Sequence, residues 1–167
     1  MASIIGVETL QHTNGTTAME IDSSGRVTKP NAVAWHAYKD NGTVTGASTT
    51  IVWNKTHTNV GSMYSTSTGE VTIPVAGLYF ISVFGMPTST TDKLLWFQLV
   101  KNGTEFQGFN PYAHQNASGF HVNTAGSIIL DLSVNDVIKI NLGNNSKVEM
   151  WAAAANSHNG FCGYLIG

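Results

Sequence analysis

Apolar residues along this chain fall into short runs, alternating or continuous over fewer than ten positions. Val71-Thr72-Ile73-Pro74-Val75 alternates until it meets a proline. Residues 77–85 (GLYFISVFG) and 94–100 (LLWFQLV) are apolar at nearly every position. Residues 127–132, 136–142 and 161–167 follow, separated by clusters of Gly, Asn, Ser and Pro. Runs of this length bounded by turn formers predict strands. No window of eleven or more residues sets apolar side chains at i, i+3, i+4 and i+7, as a helix face requires. Residues 152–155 form the only helix-friendly stretch, and four alanines cannot nucleate a helix alone. The pattern therefore predicts an all-β sandwich.

The strands differ in how much water they expect. Val137, Ile138, Ile140 and Leu142 against Lys139 and Asn141 describe a half-buried strand. The strands over 78–84 and 94–100 are apolar on both faces. One face of a strand in a lone two-layer sandwich meets water, so a doubly apolar strand needs a second cover. Large apolar side chains at low charge favour another subunit as that cover, and an obligate oligomer is expected.

Residues 8–28 are of another kind: two short alternating runs flank turns at Asn14-Gly15 and Ser24-Gly25. That is too little to build a core, so the segment must dock on something or wind with copies of itself. Pro30-Asn31 marks a boundary, dividing the chain into an N-terminal arm over 1–31 and a main domain over 32–167.

Composition removes several functions. The net charge is −2 with only 8 Lys and Arg, so there is no basic surface for nucleic acid. No apolar run reaches the length of a membrane span. A single cysteine, Cys162, excludes an internal disulfide framework and reads as a buried structural thiol. Met1-Ala2-Ser3-Ile4-Ile5-Gly6 lacks a basic stretch followed by a long apolar one. The expectation is a chain made in a cytosol and kept there or released by lysis.

An ordered series of segments then carries a resemblance. It runs from Ala34-Trp35-His36-Ala37 through Trp53-Asn54 and residues 67–80 (STGEVTIPVAGLYF) to Leu99-Val100-Lys101-Asn102-Gly103. Residues 126–137 (GSIILDLSVNDV) and 161–166 (FCGYLI) complete it. In this order the segments resemble the globular head of complement component one-q, a domain of the tumour-necrosis-factor superfamily. The resemblance implies a jelly-roll β-sandwich of about ten antiparallel strands in a compact homotrimer. It departs from the family at Asn135, where a Gly is usual before Asp136, and no collagen-like stalk precedes the head. Strand alternation then points Tyr79 and Ile81 inward and Leu78, Phe80 and Phe84 outward. Leu78, Phe80, Phe84, Trp96, Leu99 and Tyr164 are the candidate trimer contacts. Residues 13–27 in turn resemble a leader of virion proteins of tailed phages, especially marine ones. That likeness implies a structural protein on the virion surface, made in the host cytoplasm. An extended N-terminal arm would attach it to a capsid, portal or tail protein, with Leu10, Met19, Ile21 and Val27 as candidate anchoring residues.

There is no Gly-x-Ser-x-Gly or His-Glu-x-x-His motif. Asp131 and Asp136 read as turn and edge residues rather than a catalytic pair, and Glu70 and Glu149 have no evident partner. His12, His36, His57, His114, His121 and His158 lack the spacing of a zinc site. A shared site on a three-fold axis, near His114 or His121, stays open as a less favoured alternative. The expectation is no enzyme, no cofactor and no assigned metal. Trp53, Tyr112 and Trp151 are the candidate ligand contacts, set beside polar stretches and suited to a host-surface glycan. Residues 86–93, 104–118 and 143–160 are expected to be recognition loops.

Overall fold

A computed structural model describes residues 6–40, 44–45, 48–85, 87–88, 93–115, 124–143, 147–150 and 158–167. The chain divides into two compact units, Met1–Ala32 and Val33–Gly167. In the first, β1 (Thr9–Gln11), β2 (Thr17–Ile21) and β3 (Val27–Thr28) form an antiparallel sheet in the order β1-β2-β3. The two short alternating runs expected around Asn14-Gly15 and Ser24-Gly25 are thus paired into a small sheet. Both turns have local causes. Gly15 and Gly25 take φ of 85° and 75°, which side chains resist. Asp22 Oδ1 accepts from the backbone N–H groups of Ser24 and Arg26 at 2.9 and 3.0 Å, tying the second turn.

The second unit is a sandwich of two antiparallel sheets. One is built from β4 (Ala34–Tyr38), β6 (Lys55–Val60), β8 (Gly77–Gly85), β12 (Thr124–Leu132) and β15 (Gly160–Leu165), in the order β12-β8-β15-β4-β6. The other is built from β7 (Glu70–Thr72), β10 (Lys93–Lys101), β11 (Thr104–Gln115) and β13 (Val137–Leu142), in the order β11-β10-β13-β7. Short strands β5 (Val44–Thr45), β9 (Pro87–Thr88) and β14 (Lys147–Met150) make a small third sheet, order β5-β14-β9. The crossing order of the two large sheets is that of a jelly roll. Between them lies one core, in which Trp35, Trp53, Tyr79, Ile81, Phe97, Leu99, Leu132, Ile138 and Phe161 are buried.

All three expected loops contain strand: β9 lies within 86–93 and β14 within 143–160. Residues 104–115 are strand β11, not loop. This strand is the edge of its sheet and pairs with β10 through two register shifts. Lys55–Val60, a polar run, is the opposite sheet's edge strand β6. Residues 152–155 lie outside the described residues. Glu70 does have a partner: Lys139 Nζ on β13 sits 3.1 Å from its Oε1. Lys101, Asn102 and Asp136 form the tightest surface cluster. Asn102 Nδ2 donates to Asp136 Oδ1 at 2.7 Å, and Asn102 Oδ1 accepts from the Val137 N–H at 2.8 Å. Asp136 Oδ2 accepts from the Ser133 N–H at 2.9 Å and from Lys101 Nζ at 2.9 Å. One carboxylate therefore locks the β10–β11 hairpin to the β12–β13 turn.

Candidate assembly face

The five-stranded sheet has one side in the core and one side bare. Along β8, Tyr79, Ile81 and Val83 are buried while Leu78, Phe80, Ser82 and Phe84 point away from the core. Cross-strand pairing carries this second side across the sheet. Phe80 stands opposite Ile129 on β12 and Tyr164 on β15. The Phe80 and Tyr164 rings lie 5.5 Å apart. Leu78, Ile129 and Tyr164 keep 46%, 60% and 51% of their surface in water. Four large apolar side chains thus make one continuous patch, which a lone soluble domain rarely leaves open. Ile129 was hidden in the sequence, because residues 127–132 read as a continuous run rather than an alternating one.

The next row of the same side is polar. Ser82 stands opposite Cys162, and Cys162 opposite His36. Burial pushes the half-buried Cys162 thiol above its ordinary pKa. A register shift after His36 gives β6 an extra residue there, and that residue is His57. The His57 ring stacks on Tyr38 at 4.2 Å and lies 5.0 Å from the His36 ring. His36 also lies 6.3 Å from the Phe84 ring. Its Nε2 is buried and has no hydrogen-bond partner. Burial first, and the His57 charge second, hold the His36 imidazole below its usual pKa.

The remaining candidate residues are scattered by the fold. Leu99 is fully buried between the sheets and is removed from the contact candidates: on β10 it has the inward parity of Phe97. Trp96 has the opposite parity and belongs to the other sheet. A Cβ at Gly143 would collide with its ring, so it lies close over the backbone there, away from the Leu78–Tyr164 patch. Trp53 is fully buried and is removed from the ligand-contact candidates. The Tyr64 hydroxyl clasps its backbone, accepting from the Trp53 N–H and donating to its carbonyl, both at 2.9 Å. The side chain of Tyr112 and all of Trp151 lie outside the described residues, as do His121 and the His114 side chain. Leu10, Met19, Ile21 and Val27, by contrast, are brought together. Leu10 pairs with Met19 and Ile21 with Val27, which sets all four on one face of the small sheet. Thr9, Glu20 and Thr28 take the other face. Among the described residues no three His, Cys, Asp or Glu gather as metal ligands, and no helix is long and apolar enough to cross a membrane.

Comparison with known proteins follows the sandwich. The residue pattern of the C1q domain is met over residues 34–166. Among solved structures, the globular domain of a zebrafish complement 1qA protein superposes with a TM-score of 0.63 at 17% identity, covering 81% of this chain and 98% of that one. Murine APRIL at pH 5.0 superposes with a TM-score of 0.58 at 11% identity, covering 80% and 97%. Eiger TNF from S. frugiperda gives 0.62 at 12% identity, covering 80% and 91%. At such identities the structures share the fold.

Proposed function

Because the chain belongs to the C1q domain family, we propose that it is a non-enzymatic knob assembled from three copies, which meet through the bare side of the five-stranded sheet. Domains of this kind are often trimeric recognition or ligand-binding modules. The observation that carries the reading is the Leu78–Phe80–Ile129–Tyr164 patch. It is apolar, continuous and exposed, and it lies on the side of the sheet opposite the core. Burying such side chains yields about 25 cal/mol per Å² of apolar surface, so a patch on each of three copies is a strong drive to associate. The test is the mass of the purified chain in solution. Three subunit masses are expected for the wild type and one for Ile129→Asp, with the β circular-dichroism spectrum unchanged. A wild-type monomer at micromolar concentration overturns the reading.

The finer reading sets the knob on a virus particle, as a capsid decoration or fibre head of a tailed phage. Residues 1–31 would grip a capsid, portal or tail protein. Its supports are the likeness of residues 13–27 to phage virion leaders and the gathering of Leu10, Met19, Ile21 and Val27 on one sheet face. A tip that binds a host-surface glycan has less support, since Trp53 is inside the sandwich.

A further inference from the structure

We propose that His36, set against the His57 ring, is an acid-operated release for the assembly face: neutral, it allows copies to pack over the five-stranded sheet, and protonated, it drives them apart. The inference rests on the reading of that face as the place where copies meet.

The geometry has three parts. The two rings are 5.0 Å apart on adjacent strands, on the side that carries Phe80, Phe84 and Tyr164. A bulge in β6 aims His57 there, where it lies between His36 and Tyr38. Among the described residues nothing holds a positive charge on His36: its Nε2 is buried without a partner, close against Phe84 and the Gly160 backbone. A second chain laid over this side would remove the water that solvates a charged imidazole.

The other titratable groups around the pair do not offset this. On β4 and just beyond it stand Tyr38, Lys39, whose Nζ donates to the Val52 carbonyl at 3.4 Å, and Asp40; on β6 stands Lys55; on β15 stands Cys162, with His158 just before that strand. From β8 the neighbours are Ser82 and Phe84, neither charged. Asp40 is the single carboxylate of this group, and it is committed elsewhere. Its Oδ1 accepts from Asn54 Nδ2 at 2.6 Å, and its Oδ2 lies 3.9 Å from Lys55 Nζ. Lys55 is a further positive charge.

The direction follows from His36. Burial and His57 lower its pKa in the folded chain, so its neutral form is the one the fold favours. Covering the face lowers it further. Assembly is therefore complete above the ordinary imidazole range, near pH 6.5, and is lost as pH falls below it.

The experiment measures the mass of the full-length chain by sedimentation from about pH 8 to about pH 5, alongside far-ultraviolet circular dichroism. The wild type is expected to fall from three subunit masses to one while keeping its β spectrum. The double variant His36→Gln/His57→Gln is expected to hold three subunit masses throughout. Should the double variant fail to assemble at high pH, His57→Gln decides, because its ring is exposed and the core does not depend on it. It removes the charge that lowers the His36 pKa and is expected to move the midpoint of dissociation to higher pH. A wild type that stays assembled at the acid end overturns the inference, as does one that loses its β spectrum there or a variant that dissociates as the wild type does. A wild type that is already monomeric at pH 8 is a separate result, since it removes the assembly reading itself.

Discussion

Asp136 shows how much one side chain can hold. It accepts hydrogen bonds from Asn102, Ser133 and Lys101, and these partners press its carboxyl down to about 2, the Asn102 amide most of all. Asp136→Ala removes all three and frees the hairpin that carries Asn102. A loss of about 1–3 kcal/mol is expected, read as a fall of several degrees in the melting temperature. The carboxylate's contribution is present above the pKa of an unfolded Asp, near 3.8, and fades as pH falls toward 2. The gap between wild type and variant should therefore be constant from neutrality to about pH 4 and narrow below it, in melts run across that range. Residue-level legibility was uneven. Asp136 was placed at a turn from sequence, but its partners Asn102 and Lys101, 34 and 35 residues away, were not visible from spacing. Asn135 takes φ of 69°, which explains why Gly is usual there and why Asn, the best non-Gly substitute, is accepted. Trp53 was misplaced because polar neighbours along the chain say nothing of Tyr64, eleven residues on, which clasps its backbone.

At the scale of elements, alternation was readable wherever a strand had one apolar and one polar face, and β8 obeyed it through both of its apolar faces. It failed for β6 and β11, whose apolar content is low because edge strands meet water. It failed also for Leu99, since a strand apolar on both faces does not announce which face is inside. The central element of the five-stranded sheet is β15, which threads between β8 and β4. It can do so because Gly163 leaves room on the core side. A Cβ there would collide with the Trp35 ring and stand 2.6 Å from the Phe80 carbonyl oxygen. Trp35 is locked in place by Phe161, whose ring meets it edge-on at 5.4 Å, so it has nowhere to retreat. Gly163→Ala is expected to destabilise the fold by about 1–3 kcal/mol through overpacking. Chemical denaturation should show a lower midpoint with little change in slope, because the surface exposed on unfolding is nearly the same.

Across the whole molecule, the buried core is drawn entirely from the second unit: its first member in sequence is Val33. The first unit has strands of three, five and two residues and one apolar face, which is too little for independent stability in water. Sequence reading separated the two at Pro30-Asn31 because the composition changes there. The two turns and the alternation around them were legible in residues 8–28, but the register that sets Leu10 against Met19 and Ile21 against Val27 was not. The two units are thus expected to part in experiment. A chain of residues 32–167 keeps every core residue, so it should fold and assemble as the full chain does. It lacks Leu10, Met19, Ile21 and Val27, so on the virion reading proposed above it should not co-sediment with particles that bind the full chain. Leu10→Asp in the full chain should behave alike if the sheet face makes the attachment, because a charge on that face is costly to bury. Particles that still carry the 32–167 chain at full copy number would move the point of attachment onto the sandwich and leave the N-terminal sheet without this role.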